Sequence, residues 1–255
     1  MSINQPALNR ARASARLNIV RASFSFSFFC LTLFLAGLGC GSGGGGSGGG
    51  PLPPLPTVGP LASVVVNNGS SGAQQPGTLY VPKGMITIDA RYRLVTHGRD
   101  ANGNLIVSLS GHTVAWQFAD TSIATFVNGT GGLDKESIQV QTLKDYFDNG
   151  STAEPTTTVT VTVDNDPNLS ATVTVVGIVN VEGRWKATGG DSLDDWVTQT
   201  GKSFVWGGSR NGTIQGDALS FSTTAGSYTA TVTSDRLQWT NGSGPFGVWQ
   251  AVKMQ

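Results

Sequence analysis

The sequence has few of the residues on which most enzymes depend. Only 13% of its 255 residues are charged, and it contains just two histidines and two cysteines. His97 and His112 lie close to an aspartate and a serine, but they lack the spacing of zinc ligands. No strand-turn-helix motif surrounds the nearby Asp100 or Ser110, so a Ser/His/Asp site is not predicted. We expect no catalytic residue, no metal and no cofactor.

Acidic residues are missing from the beginning of the chain, where the first one is Asp89. The opening segment instead carries four arginines: Arg10, Arg12, Arg16 and Arg21. Their removal with an export signal would leave 12 of the 16 basic residues against 16 acidic ones. A chain with a net charge near −4 and no basic stripe is a poor match for nucleic acid.

An apolar run, Phe24–Leu38, follows the arginines, as in a secretory signal. It is shorter than the about 20 apolar residues of a spanning helix. The run ends in Leu35-Ala36-Gly37-Leu38-Gly39-Cys40, which resembles the lipobox of bacterial lipoproteins. That resemblance implies a lipid on Cys40, a membrane anchor and a place in the bacterial cell envelope, at the outer membrane or cell surface. Ordinary cleavage with secretion, or a retained anchor, are the alternatives.

Once the signal is removed, no cysteine remains beyond Cys40, which excludes a disulfide framework. A flexible Gly/Ser tract and a stiffer Pro-rich tract then form a tether up to residue 60. We predict a signal peptide, a lipidated tether and two domains, with these boundaries: 1–39, 40–60, 61–179 and 180–255.

The first predicted domain alternates apolar and polar residues with the period of two that is typical of strands. The pattern covers Met85–Thr96, then Val114–Phe118, and then the Thr/Val run ending at Val163. Trp116 is expected in the core between two sheets. Asp164, Asp166 and Asn168 are interpreted as a hairpin turn, with a calcium loop as the alternative.

The segments Asp100–Gly103, Val114–Trp116 and Ile123–Thr125, followed by paired Thr/Val strands, resemble a bacterial immunoglobulin-like domain. The resemblance covers residues 61–179. It implies a β-sandwich of the kind found in surface adhesins and lipoproteins.

The second predicted domain contains five of the six tryptophans in short alternating segments separated by Gly-containing turns. Seven or eight short antiparallel strands in such a length predict a meander or a small barrel. Gly183-Arg184-Trp185, Gly212–Gly216 and Leu237–Gly242, followed by Trp249, resemble a short module of uncharacterised secreted proteins, which implies no activity. The whole chain is therefore predicted to be all-β, an immunoglobulin-like sandwich followed by a meander or barrel.

Four tryptophans are the candidate ligand-binding residues: Trp196, Trp206, Trp239 and Trp249. They predict either an aromatic platform that stacks on sugar rings or the core of the second domain. We expect a non-enzymatic, lipid-anchored protein whose first domain is a spacer or adhesion module that presents the second. The alternative is a carbohydrate-binding module built on these tryptophans. The expected partners are the membrane and a cell-surface glycan or protein.

Overall fold

The computed structural model describes residues 58–68, 77–85, 90–106, 108–127, 136–189 and 193–254. Within them the chain forms seventeen β-strands, two 3₁₀ helices (Ala90–Tyr92 and Phe147–Asn149) and no α-helix. The all-β prediction is confirmed. The strands of the first part are β1 Leu61–Asn68, β2 Thr78–Pro82, β3 Arg93–Asp100, β4 Leu105–Ile106, β5 Val114–Phe118, β6 Ala124–Phe126, β7 Ser137–Thr142, β8 Thr156–Val163 and β9 Asp166–Ile178. Those of the second part are β10 Gly183–Thr188, β11 Asp194–Thr200, β12 Ser203–Trp206, β13 Arg210–Gln215, β14 Ala218–Thr223, β15 Gly226–Val232, β16 Gln238–Gly244 and β17 Gly247–Lys253.

Strands β1 to β9 form two sheets, which we call the two-sheet region. One sheet has the order β1-β3-β7-β6, with β4 also paired to β3, and the other has the order β2-β9-β8-β5. Strand β2 runs parallel to β9, and the other strand pairs are antiparallel. The inward side chains of both sheets, among them Leu94, Val161 and Trp116, belong to one hydrophobic cluster. Trp116 is 8% exposed and lies in this core, as the alternation of β5 predicted.

One predicted strand is wrong in part. The alternation of Met85–Thr96 predicted a single strand, but Ala90–Tyr92 is a 3₁₀ helix and β3 begins only at Arg93. The turn directs Arg91 and Tyr92 toward the second part of the chain, where both donate hydrogen bonds to the carbonyl of Gln199. A tertiary contact therefore overrides the local pattern.

Strands β10 to β17 form a closed antiparallel barrel, in which β17 pairs with β10. Apart from the bulged β16, the strands alternate inward and outward residues, and the inward ones form a second hydrophobic cluster that begins at Val179. The hairpin turns after β11, β12 and β13 use glycine with positive φ, at Gly201, Gly207 and Gly216. The barrel confirms one of the two architectures that the short strands predicted.

Candidate functional site

Three of the four candidate tryptophans lie inside the barrel. Trp206, Trp239 and Trp249 are 2%, 0% and 4% exposed. Trp239 stacks on Trp185 with ring centroids 4.3 Å apart and meets Trp206 edge to face at 5.0 Å. Rings enclosed in this way offer no face to a sugar outside the barrel, so the platform interpretation has to be corrected for these three residues. Their role is to fill the core.

Trp196 is the exception, because 65% of its surface is exposed. It projects outward from β11 beside Arg184 of β10. Arg184 makes a two-pronged ion pair with Asp194, with nitrogen–oxygen distances of 2.8 and 3.1 Å. Of the four candidate tryptophans, Trp196 alone therefore offers a ring for stacking, and that ring lies next to a charged pair.

The barrel interior leaves little room for a ligand. The internal space lined by Trp206, Phe221, Tyr228 and Trp249 measures about 10 Å³, which is about the size of one water molecule. The Tyr228 hydroxyl and the Trp239 ring nitrogen are buried and have no hydrogen-bond partner among the described residues. A ligand of the barrel therefore has to bind on its outer surface.

A concave groove runs over the outer face of β12 to β15. Its volume is about 510 Å³, and the outward side chains along it include Ser203, Thr213, Ser220 and Thr229. A second concavity of about 340 Å³ shares three of these residues and continues the groove toward Gln215 and toward Asn241 of β16. We call the two concavities together the hydroxyl groove.

A dense junction joins the barrel to the two-sheet region. Asp145, whose side chain is fully buried, pairs through both oxygens with Arg236 of the barrel at 2.6 Å. Arg236 also reaches Asp148 at 3.1 Å and lies over the ring of Phe147. Lys83 adds a second cation at 2.7 Å from Asp148. Partial burial of Asp148 acts to raise its pKa, but the hydrogen bond from Lys83 and the charge of Arg236 outweigh burial and lower it.

The chain segment between β9 and β10 is fixed by the buried amide of Gln199. Its oxygen accepts from the Val181 N–H at 2.8 Å, and its nitrogen donates to the carbonyls of Val179 and Gly201 at 3.0 and 3.1 Å. The Trp185 ring nitrogen also donates to the Val181 carbonyl at 2.7 Å. This linker is consequently part of the barrel packing.

A third set of contacts closes the other side of the junction. Lys202 pairs with Glu154 at 2.8 Å and lies over the ring of Tyr80. Glu154 also accepts a hydrogen bond from the backbone of Gly216 at 3.1 Å. Tyr146 packs against Gly216, where a Cβ would come within 3.1 Å of its ring. Charges from both parts are thus matched across the junction.

The histidines do not meet a serine nucleophile in the described residues. His112 pairs with Asp164 at 2.6 Å at the surface, and the hydrogen bond from His112 lowers the pKa of Asp164. Asp100 instead accepts hydrogen bonds from Gly59 and Asn104, which lower its pKa to about 2. It stabilises the loop that follows β3.

The candidate calcium loop is a hairpin turn. Asp164 and Asn165 adopt left-handed backbone conformations between β8 and β9, and Asp166 accepts the N–H of Asn168 at 2.8 Å. Among the described residues, no group of three or more His, Cys, Asp or Glu side chains could hold a metal ion.

The predicted lipidation site, Cys40, and the signal peptide lie outside the described residues. In the part of the chain that the structure describes, no helix is long and apolar enough to cross a membrane.

Neither a family model nor a curated protein matches this sequence. Among solved structures, domains 5–6 of the S-layer protein SbsC give a match at 12% identity, which covers 79% of this chain and 86% of that chain. The TM-score of 0.28 is too low for this match to support a shared fold or function.

Proposed function

We propose that this protein is a non-enzymatic component of a bacterial cell envelope, anchored by a lipid on Cys40. Residues 61–179 form an immunoglobulin-like spacer, and residues 180–255 are the part that it presents. The observation that carries the proposal is the junction, because ion pairs, a buried glutamine and aromatic packing hold the two parts in one orientation. A rigid spacer holds the domain that it presents at a fixed distance from the anchor and at a fixed angle, whereas a flexible linker does not.

The strand order supports the immunoglobulin-like assignment. In such domains one sheet has the strands ABED and the other CFG, and a tryptophan of strand C is buried between them. Here β1-β3-β7-β6 corresponds to ABED and β5-β8-β9 to CFG. Trp116 lies on β5, in the position of the strand C tryptophan. The division at residue 179 is supported by the two hydrophobic clusters, which separate between Val175 and Val179.

The anchor is tested by metabolic labelling with a fatty acid in a bacterial host. The wild-type chain should incorporate the label, and Cys40→Ala should not. Equal labelling of the two chains would disprove lipidation. An antibody against the barrel, applied to intact cells, then reports whether the barrel is accessible at the surface.

The spacer role is tested by NMR relaxation of the backbone amides. Both parts of the wild-type chain should tumble with one correlation time. Arg236→Ala combined with Glu154→Ala should give the barrel a shorter correlation time of its own. Independent tumbling in the wild type would contradict the proposal.

A carbohydrate-binding role for the barrel is the second candidate, and the exposed ring of Trp196 favours it. Trp196→Ala should then abolish glycan binding without changing the circular dichroism, because the ring contributes little to the core. Binding that survives this change would exclude Trp196 as the site.

A further inference from the structure

The hydroxyl groove is built from an ordered row of side chains. Strand register pairs outward residues successively across five adjacent strands, β12 to β16. The row contains only hydroxyl side chains, all of them exposed. Its members are Ser203, Thr213, Ser220, Thr229 and Ser243. The first four line the groove, and Ser243 of β16 continues the row beyond it.

Two flanking rows extend this array along the strands. Asn211 pairs with Ser222, which pairs with Ser227, on one side of the central row. Gln215, Ala218 and Thr231 are paired on the other side. Neighbouring strands lie about 4.8 Å apart, and outward residues of one strand repeat about every 6.8 Å. The side chains therefore form a regular grid of hydrogen-bonding groups.

The floor of the groove is lowered by a glycine. Gly212 faces inward on β13, and a Cβ there would come within 2.3 Å of the Phe204 ring and 2.6 Å of the Ser220 carbonyl. Without a side chain, β13 can lie against Phe204, and the outward residues around it line a concave surface.

The groove lacks the features that recognise most other ligands. None of the outward residues of β12 to β15 is charged, so the groove does not favour nucleic acid or acidic polymers. The closed barrel has no free strand edge to which a peptide strand could add. Only Val205 and Ala218 are apolar among these outward residues, too few to hold an amphipathic helix.

The groups that are present match a neutral ligand that carries many hydroxyls. A hydroxyl donates one hydrogen bond and accepts two, and a side-chain amide also does both. The contacts within the grid are long, 3.3 Å between Thr213 and Ser220 and 3.5 Å between Ser222 and Ser227. These groups therefore have hydrogen-bonding capacity left for a ligand.

We propose that the hydroxyl groove on β12 to β16 binds a neutral polysaccharide chain. The site is distinct from Trp196, which lies on β11 outside the groove. The inference goes beyond the presentation role, because the groove would bind its ligand whether or not Cys40 carries a lipid.

The test is isothermal titration of the full-length chain with cellohexaose, mannohexaose and dextran, and with polygalacturonate as a charged comparison. At least one neutral probe should bind, and polygalacturonate should not. The double variant Thr213→Val/Thr229→Val removes two central hydroxyls and keeps the β-branched shape. It should weaken binding about tenfold, because two hydrogen bonds between neutral groups are lost.

Two controls separate this site from others. Thr188→Val makes the same chemical change on β10, outside the groove, and Trp196→Ala removes the exposed ring; both should leave affinity within twofold. Near-UV circular dichroism verifies that the aromatic core is intact. If the double variant does not fold, Ser220→Ala replaces it, with a smaller expected loss.

Several results would overturn the inference. They are no binding of any neutral probe, binding of polygalacturonate alone, unchanged affinity in a folded groove variant, or loss of binding in Trp196→Ala alone. The last result would instead support the second candidate function.

Discussion

The two-sheet region and the barrel fill their cores with different side chains. Valine is the commonest residue between the two sheets, whereas the barrel encloses seven aromatic rings, among them Trp185, Trp206 and Trp239. Two stacked sheets lie about 10 Å apart, a gap that branched aliphatic side chains fill from both sides. A barrel of eight strands encloses a wider space, which needs larger groups. The tryptophans of this chain therefore reflect barrel geometry and do not by themselves indicate a ligand.

The sharpest test of this difference is Trp239→Ala. Trp239 is fully buried and contacts four other rings. Its truncation should destabilise the barrel by about 3–5 kcal/mol, near the upper end. Trp196→Ala is the matched control, because an exposed tryptophan should change stability by only about 0.5 kcal/mol. Denaturant unfolding followed by near-UV circular dichroism measures both, and equal effects would show that the barrel core is not as described.

The corresponding change in the two-sheet region is Trp116→Ala. We expect a loss of about 3 kcal/mol, because this ring is slightly exposed and lies in a cluster made mostly of aliphatic side chains. Hydrogen exchange of the β5 and β8 amides measures the loss. Unchanged protection there would contradict the assignment of Trp116 to the core between the sheets.

The junction connects the two regions, and Arg236→Ala should weaken it by about 2–3 kcal/mol. The change leaves the buried carboxylate of Asp145 without its cation. Arg93→Ala is the control, since the hydrogen bond that Arg93 donates to Ser137 is exposed. A double-mutant cycle with Asp145→Asn isolates the pair. A coupling energy near zero would mean that packing alone holds the junction.

The smallest expected effect is the response of the two-sheet region to acid. Asp100 has a folded-state pKa of about 2, below the about 3.9 of an unfolded chain. The ionised form therefore stabilises the fold above about pH 4, and this contribution is lost as the pH falls through 2. Carboxyl NMR titration measures the pKa directly. Asp100→Asn should show less dependence of its unfolding midpoint on pH between 4 and 2, and an unchanged slope would contradict the assignment.

The sequence predicted most of the strands, because alternation with a period of two is local. It also predicted the turn at Asp164. For Trp206 the sequence left both the platform and the core open, although Trp206 shares the parity of Phe204, which is buried on the same strand. Trp196 was ambiguous, because its strand buries Val197 together with the polar Gln199. Because one inward residue of β11 is polar, the polarity of its side chains does not distinguish the inward from the outward positions of this strand.

The junction was beyond the sequence, and closure of the barrel was predicted only as one of two alternatives. Asp145 and Arg236 are 91 residues apart, and neither stands in a pattern that marks it as paired. The sequence contains a weak indication of the hydroxyl groove, because many outward positions on consecutive strands are Ser or Thr. Its register depends on the turns and on the bulges of β16, so the row became evident only in the folded sheet.

The parallel pairing of β2 with β9 has a mechanical consequence. Five residue pairs join these strands, from Thr78 with Thr174 to Pro82 with Ile178, and the barrel follows directly after β9. Tension between the beginning of β2 and the barrel pulls parallel strands from opposite ends. The hydrogen bonds between them are then loaded in shear, all at once, and do not open one after another as in a zipper. This strand pair is therefore placed to bear force transmitted along the chain.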